Sequence, residues 1–399
     1  MPVTTTSESR APDAEPLAPV APVASVASVA SVAPIAPVAP VAPTTRRKVL
    51  GVFWLLLAVS LGTALMNGRF LLADNLENLI RRTALFGILG IGAGFVIITG
   101  GIDLSIGSVV ALAGCMLPWL LAVHHWPASA VVPLLLGIAL CIGLAHGLLI
   151  TKLRLQPFVV TLCGLLLYRG TARGIAGDQT QGFGVGFESL RYLAVGTPFS
   201  IPVPFLSWIS EGRFSPYAVH PFTGVRTRLD PITWIDIPMP FLLFLAIAVA
   251  ASIFLNRTIY GRYLMALGRN EQAARYSGVD TDRMTILAYV LCSVLSCFGG
   301  MLFALEVNSA QPVDFGNFYE LYAIAAAVLG GFSLRGGEGA VMGVVLGTAL
   351  MQVLRNAINM LGVPTQIEFA VIGAVILSGV IADELVRRYA AARRKVVGA

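Results

Sequence analysis

Long runs of apolar residues alternate with short polar connections along most of this chain. A helix needs about 20 predominantly apolar residues to cross the hydrocarbon core of a bilayer. The runs are continuous rather than alternating in polarity, which argues against the strands of a membrane β-barrel. We therefore predict an all-α, polytopic membrane protein with about ten transmembrane helices. The predicted spans are residues 49–66, 76–99, 106–123, 130–151, 156–174, 238–256, 284–306, 321–334, 340–360 and 366–385.

The eighth predicted span, 321–334, is shorter than the others. A helix of this length does not cross a bilayer, so we expect it to be broken or shared with the loop that follows it.

Composition supports a lipid environment for most of the chain. Of the 399 residues, 56% are hydrophobic and 12% are charged, and the mean hydropathy is +0.81. The net charge of +6 does not indicate nucleic-acid binding, because most lysines and arginines lie in short connections and near the C-terminus. Cations in those places set the orientation of a membrane protein.

The positions of the cations predict that the N-terminus lies inside the cell. The predicted inside connections are 100–105, 152–155, 257–283, 335–339 and the tail beyond residue 385. A long outside loop, 175–237, contains Gly, Pro and aromatic residues but no span. This loop either docks an external protein or is a plain linker.

The two ends of the chain differ from the membrane domain between them, which we place at residues 46–390. Residues 1–45 are rich in Pro, Ala and Val, and we expect a disordered cytoplasmic tail. They do not form a signal peptide, because the basic cluster Arg46–Lys48 comes too late in the chain. Residues 391–399 form a basic cytoplasmic tail.

A glycine-rich break within residues 89–114 separates two apolar runs and carries one carboxylate, Asp103. A charge so close to apolar segments is costly unless it is paired, capped or hydrated. We expect Asp103 or Ser105 to accept hydrogen bonds from the free amides of the helix that begins near Ile106. A role in a polar path through the membrane is the alternative. We call this break the signature turn, and its residues are Gly100, Gly101, Asp103, Ser105 and Gly107.

The inside connection 257–283 contains the pattern of a short helix. Asn270 precedes Glu271 and Ala274, and Gly278 follows, as in a helix with a polar N-cap and a C-terminal glycine. Such a helix would suit the docking of a soluble partner. A solvated connector that obeys the positive-inside rule is the alternative.

No motif for catalysis or nucleotide binding occurs in the sequence. GxxxxGK[ST], HExxH and GxSxG are all absent, and the five cysteines lack metal-ligand spacing. We therefore predict no catalytic residue and no metal site. His146 lies between Gly143 and Gly147 in the fourth span, where helix packing is favoured over a proton relay.

Polar residues recur near the outer end of the ninth span. Gln352, Asn356 and Asn359 have the spacing of one helix face, which in a membrane protein normally points into the bundle or a water-filled path. Such a path suits an uncharged, hydroxylated solute, because no ordered series of carboxylates accompanies it. Hydrogen bonding between helices is the alternative.

Five stretches of the sequence carry a family resemblance. They are VIITGGIDLSIGSVVALAG (96–114), LQPFVVTLCGLLLYRGTARGIAG (155–177), FSIPVPF (199–205), GRYLMALGRNEQAARYSGVDTDRMTILAYVLCSVLSCFGGML (261–302) and AIAAAVLGGFSLRGGEGAVMGVVLGTALMQVLRNAINMLGV (323–363). They resemble the permease subunits of bacterial ATP-binding cassette (ABC) importers for monosaccharides of the ribose, arabinose, xylose and galactofuranose type. The resemblance covers about residues 50–390 in order.

The resemblance implies a multi-pass permease fold of the bacterial inner membrane, with broken or re-entrant helical segments. It implies a second permease copy or a related permease, a cytoplasmic ABC ATPase and a periplasmic sugar-binding protein as partners, with no nucleic acid. ATP and magnesium would bind to the ATPase, so this chain would hold no cofactor. The segment that would receive the ATPase includes Gly268, Asn270, Glu271, Ala274, Ser277 and Gly278.

Two alternative functions are considered, and two features of the sequence differ from the family pattern. The same machine could carry a branched-chain amino acid, and a proton-coupled secondary transporter is the reading from another class. The stretch 210–235 looks like an insertion in the outside loop, and Arg355 stands where the family pattern suggests a smaller or neutral residue.

Overall fold

The structure is a computed structural model. It describes residues 43–204, 206, 217–219, 226–228 and 232–364, together with 367, 368, 370, 371, 373, 374, 377, 378 and 381. Residues 1–42 of the predicted N-terminal tail, the predicted C-terminal tail, most of the tenth span and most of the 210–235 insertion lie outside these residues. Residues 43–45, which were predicted to belong to the disordered tail, are the start of a helix.

Helices dominate the described chain. They are α1 (Pro43–Met66), α2 (Ala73–Ile98), α3 (Ile106–Pro118), α4 (Ala128–Thr151), α5 (Pro157–Ala176), α6 (Glu188–Val195), α7 (Met239–Arg257), α8 (Ile259–Arg269), α9 (Glu271–Tyr276), α10 (Thr281–Val307), α11 (Tyr319–Leu329) and α12 (Val341–Met360). A 3-10 helix, Gly68–Leu71, precedes α2, and a π-helical turn, Trp119–Val123, extends α3.

Eight of the described helices are long and apolar enough to cross a membrane. They correspond to the first seven predicted spans and to the ninth. The bounds shift by up to three residues when the apolar part of α1 (Val49–Met66) and α3 with its π-helical extension (Ile106–Val123) are compared. The eighth prediction, 321–334, is wrong in extent, because α11 has only 11 residues and ends at Leu329. The all-α fold class is confirmed, and the strands below are short pairs beside the helices.

Helices α2 and α10 form the centre of the bundle. The chain of α2 is buried from Thr83 to Ile98, and α10 packs against α4, α3 and α2. Gly143 of α4 lies against the backbone of Val290 in α10, because a Cβ there would stand 2.5 Å from the Val290 Cα. The glycines that flank His146 therefore serve close helix packing, as the sequence predicts.

Six strands occur in the part of the chain that the structure describes, and they form three antiparallel pairs. Strand β1 (Gln181–Gly182) pairs with β6 (Ser309–Ala310), β2 (Phe199–Pro204) with β5 (Ile232–Ile237), and β3 (Tyr217–Val219) with β4 (Arg226–Arg228). Five of the six belong to the predicted outside loop. This loop is therefore not a plain linker over the residues that the structure describes.

Residues 311–318, between β6 and α11, run back into the bundle. Gly316 has a φ of +75° and lies against the carbonyl oxygen of Gly107 in α3. The guanidinium of Arg169 in α5 donates to the carbonyl oxygens of Pro312, at 3.2 Å, and Phe315. Irregular backbone at this depth is tolerated where protein donors satisfy it. The predicted span 321–334 is shared with the loop after it, as expected, because residues 330–340 are not helical. A second irregular segment, 311–318, precedes the short helix.

Two polar contacts mark the two ends of the described helix bundle. At one end, the connection after α4 meets the start of α10 through an ion pair of 2.8 Å from Lys152 Nζ to Asp282 Oδ2. At the other end, the side-chain amides of Asn75 in α2 and Asn356 in α12 hydrogen bond at 2.7 Å. We call these the inner end and the outer end, following the charge-based prediction of topology.

Candidate coupling site and solute path

Helix α9 and its flanking residues form a short projecting element at the inner end. The side chain of Asn270 accepts a hydrogen bond of 3.0 Å from the Ala273 amide, as an N-cap does. After the helix, Gly278 has a φ of +83°, and the Val279 amide donates to the Ala274 carbonyl at 3.1 Å. The short helix that the sequence predicts is therefore present, with the predicted cap and the predicted glycine.

Ion pairs hold this element against α10 and the connection after α4. The Arg275 guanidinium lies 3.0 Å from Glu271 Oε1 and 3.2 Å from Asp282 Oδ1, and it also donates to Thr281 Oγ1. Arg154 lies 3.8 Å from the same Glu271 oxygen. These pairs are partly exposed, so each contributes little to stability. As a network they set the orientation of α9.

Most side chains of α9 are exposed in the described chain, so this surface is accessible to a partner protein. Ala274 is its one buried residue, and Glu271 is exposed. Ser277 is exposed and donates a hydrogen bond of 2.9 Å to the Ala273 carbonyl. Tyr276 is 90% exposed and was not among the predicted residues, although a lone aromatic in a polar hairpin is a signal for it.

A junction of glycines connects this element to the signature turn. Gly268, at the end of α8, lies against the Ile98 carbonyl oxygen and the Gly337 amide nitrogen. A Cβ at Gly336 would stand 2.8 Å from the Gly268 oxygen and 2.9 Å from the Gly100 nitrogen. The Gly337 amide donates to the Ile98 carbonyl at 2.8 Å. A displacement of α8 would therefore act directly on the end of α2.

Gly336 and Gly337 were missed as site residues from the sequence. Both have positive φ, +84° and +74°, which bulkier residues rarely adopt. The sequence RGGEG at 335–339 indicates backbone with positive φ, but no local pattern shows that this segment contacts Gly268.

The carboxylate of Asp103 organises the signature turn from within the bundle. Asp103 is 2% exposed, and its Oδ1 accepts hydrogen bonds from the Ser105 amide at 2.8 Å and the Ser105 hydroxyl at 2.6 Å. Neither side chain caps α3, so the predicted acceptance from amides near Ile106 is wrong. Instead, the Asp103 carboxylate accepts hydrogen bonds within the three-residue segment from Asp103 to Ser105, as in an Asx turn.

Polar groups of α5 and α10 close around the same turn. The carbonyl of Ile102 accepts from Thr161 Oγ1 at 3.3 Å and from the Tyr289 hydroxyl at 3.4 Å. That hydroxyl would stand 2.6 Å from a Cβ at Gly101, so this position has no room for a side chain. The residue Gly107 lies against Glu320 and Gly316. The turn is therefore tied to α5, α10 and α11 at once.

His146 lies near this turn and is buried. Its Nε2 is 2.9 Å from the Tyr168 hydroxyl, and its ring packs edge-on to Tyr289 with centroids 6.2 Å apart. Its Nδ1 has no hydrogen-bond partner among the described residues. A histidine held by one tyrosine suits a packing role, since no chain of proton acceptors continues from it in these contacts.

The three polar residues near the end of α12 do not share one environment. Gln352 is 4% exposed, the amide of Asn356 hydrogen bonds to Asn75, and Asn359 is exposed. The three residues lie on one face of the continuous helix α12, and that face runs from the buried Gln352 to the exposed Asn359. Asn356 links α12 to α2, which agrees with the alternative of interhelical bonding, whereas Gln352 points into the bundle.

Arg355, the residue that departs from the family pattern, forms an ion pair with Glu368. Its Nε lies 2.6 Å from Glu368 Oε1. Among the described residues, no group of three or more His, Cys, Asp or Glu side chains has the arrangement of a metal site.

Comparison with known proteins identifies the family. A family model described as branched-chain amino acid transport system / permease component matches residues 75–379. The chain belongs to this permease family. It is a multi-pass protein of the bacterial inner membrane. No solved structure is similar enough to be matched.

Several curated relatives of the permease are similar over most of its length. The ribose import permease protein of Escherichia coli K12 is 32% identical over 320 residues, which are 80% of this chain and 88% of the relative. The xylose transport system permease protein of the same strain is 32% identical over 349 residues, 81% and 88% of the two chains. The ribose import permease protein of Bacillus subtilis 168 is 34% identical over 335 residues, 84% and 91%.

The matched region of the permease contains α9, the glycine junction and the signature turn. These three features thus belong to the part of the chain that the family defines.

Proposed function

We propose that this chain is the permease subunit of an ABC importer that carries a monosaccharide across the inner membrane. The expected solute is a ribose-like pentose or a galactofuranose-like sugar. The names of the ribose and xylose relatives support this class of solute. The observation that carries the proposal is the exposed helix α9, which is joined to the core through Gly268.

The proposal assigns the remaining functions to partners. A cytoplasmic ABC ATPase binds at α9 and holds ATP and magnesium, so this chain is not an enzyme and binds no cofactor. A periplasmic sugar-binding protein docks at the outer end. A second permease copy, or a related permease, completes the path within the lipid.

Transport in this proposal is a two-state change in helix packing. Nucleotide on the ATPase and the loaded binding protein each bias the same equilibrium, because each binds one state better than the other. Movement of α9 reaches the end of α2 through the contacts of Gly268 with Ile98 and Gly337. From there it reaches the turn that Asp103 holds.

An uptake assay tests the proposed solute class. We expect vesicles that contain the permease, its ATPase and its binding protein to accumulate labelled ribose or xylose only with ATP inside. Leucine uptake in the same vesicles would instead support the branched-chain amino acid alternative that the family description raises. Uptake by the permease alone, driven by a proton gradient, would contradict the proposal.

Replacing Tyr276 with alanine tests the docking site of the ATPase. An exposed aromatic at the centre of an interface contributes about 2 kcal/mol, so we expect the Kd for the ATPase to rise about 30-fold. The measurement is ATPase binding to permease in nanodiscs. Tyr192→Ala is the matched control, because Tyr192 is also exposed but lies in α6 within the outside loop. Equal losses in both variants, or no loss in Tyr276→Ala, would exclude this docking site.

A further inference from the structure

Four aromatic rings from three helices meet in the outer half of the bundle. Phe86 of α2 lies at their centre, with ring centroids 5.0 Å from Phe303, 4.9 Å from Tyr319 and 5.5 Å from Tyr322. Phe303 and Tyr319 are also 4.9 Å apart. We call these four residues the aromatic cluster. Two of their helices, α10 and α11, also contact the signature turn, which follows α2 in the chain.

Planar polar groups border the aromatic cluster. The Arg355 guanidinium carbon lies 5.1 Å from the Tyr322 centroid and 6.0 Å from that of Phe86. Glu368 accepts from both the Tyr322 hydroxyl, at 3.3 Å, and Arg355. On another side, Arg82 pairs with Glu306 at 3.4 Å. Apolar faces thus lie next to forked donors and acceptors.

The side chain of Gln352 is a buried donor without a protein partner. Its Nε2 makes no hydrogen bond within the described chain, and the residue is 4% exposed. Gln352 lies one turn after Thr348, which faces Gly90 of α2, and three residues before Arg355, which contacts Phe86. These spacings place Gln352 on the face of α12 that is directed at the aromatic cluster.

An unpartnered buried amide lowers the stability of a protein unless something binds it. An aromatic surface with a few convergent polar groups is the usual lining of a small-molecule site. The C–H face of a sugar ring packs on aromatic rings, and its hydroxyls match the donors and acceptors of Arg, Glu and Gln.

We propose that the aromatic cluster, Gln352 and the Arg355–Glu368 pair form the outer binding site for the transported sugar. This inference rests on the proposed function. Phe86 and Phe303 are almost completely buried in this structure. A bound sugar ring therefore takes the place of some of the contacts among the four aromatic rings. The amide of Gln352 donates to a sugar hydroxyl, and Arg355 and Glu368 orient the ring. This position near the outer end is where a binding protein would release its sugar.

The test is the variant Gln352→Leu in vesicles with the complete importer. We expect the KM for uptake of the loaded binding protein's sugar to rise about tenfold, the effect of one lost hydrogen bond in a buried site. The same variant should unfold at a higher temperature in detergent, because the unpartnered amide is gone. A purely structural role would not move uptake and stability in opposite directions.

Asn359→Leu is the matched control, since it makes the same kind of change at an exposed position of α12 and should leave KM unchanged. Gln352→Met, which keeps the side-chain length, gives the same comparison if leucine impairs insertion. Normal sugar KM in both Gln352 variants would overturn the outer site while the proposed function stands. Failure of the unaltered importer to carry any sugar would instead reject the proposed function.

Discussion

Replacing Gly268 with valine is expected to lower ATP-driven uptake about 5- to 150-fold while the permease still reaches the membrane. A Cβ at this position would overlap the Ile98 carbonyl oxygen and the Gly337 amide nitrogen. Overpacking costs about 1–3 kcal/mol. If this cost falls on only one of the two transport states, the equilibrium constant between the states changes about 5- to 150-fold. Because the contact joins α8 to the end of α2, the valine should impair the coupling of ATP hydrolysis to sugar uptake.

The measurement compares sugar uptake with ATP hydrolysis in vesicles that contain both partners. In Gly268→Val, hydrolysis should no longer respond to the loaded binding protein. Gly51→Val is the control, because a Cβ added at Gly51 in α1 would meet no atom of the described chain within 4 Å, and uptake should be normal. Uptake at the level of the unaltered importer in an assembled Gly268→Val complex would show that the glycine junction does not transmit motion.

Replacing Asp103 with alanine is expected to lower the unfolding free energy of the permease by about 2–4 kcal/mol. The change leaves the Ser105 amide and hydroxyl without their acceptor inside the bundle. A buried donor that loses its partner costs about 1–3 kcal/mol. Asp103→Asn keeps an acceptor oxygen at the same place, so its loss should be about 1 kcal/mol or less.

Unfolding temperatures in detergent, measured side by side, check this prediction. The unaltered permease should be the most stable, followed by the variant Asp103→Asn and then by the variant Asp103→Ala. If alanine and asparagine have equal effects, the hydrogen bonds to Ser105 do not hold the turn. If alanine has no effect, the buried carboxylate is not a structural element of the turn at all.

The local elements of this permease were predictable because their causes are local. Continuous apolar runs of about 20 residues place the long helices, since lipid leaves few other options for the backbone. Asn270 and Gly278 mark the ends of α9, because an N-cap acceptor and a positive φ act within a few residues.

Other features of the site depend on neighbours that are far away in the chain. The spacing of Gln352, Asn356 and Asn359 predicts one face, but Asn75 of α2 reaches only Asn356. The partner of Gly268 is a pair of glycines near residue 337, and no local pattern connects them. The predicted donors to Asp103 were the free amides of α3, but the donor amide is that of Ser105, because a short Asx turn competes with the helix cap.

The sequence by itself determined that this chain is a helical membrane protein, how its spans alternate, and where a short helix projects at the inner end. Those properties follow from hydropathy, charge and capping, which act over one or two helical turns. Only the tertiary structure decided that α11 is a short helix reached by re-entrant backbone, and that four rings converge on Phe86. Such features depend on contacts between distant segments, because backbone and side chains buried in the bundle must find partners on other helices.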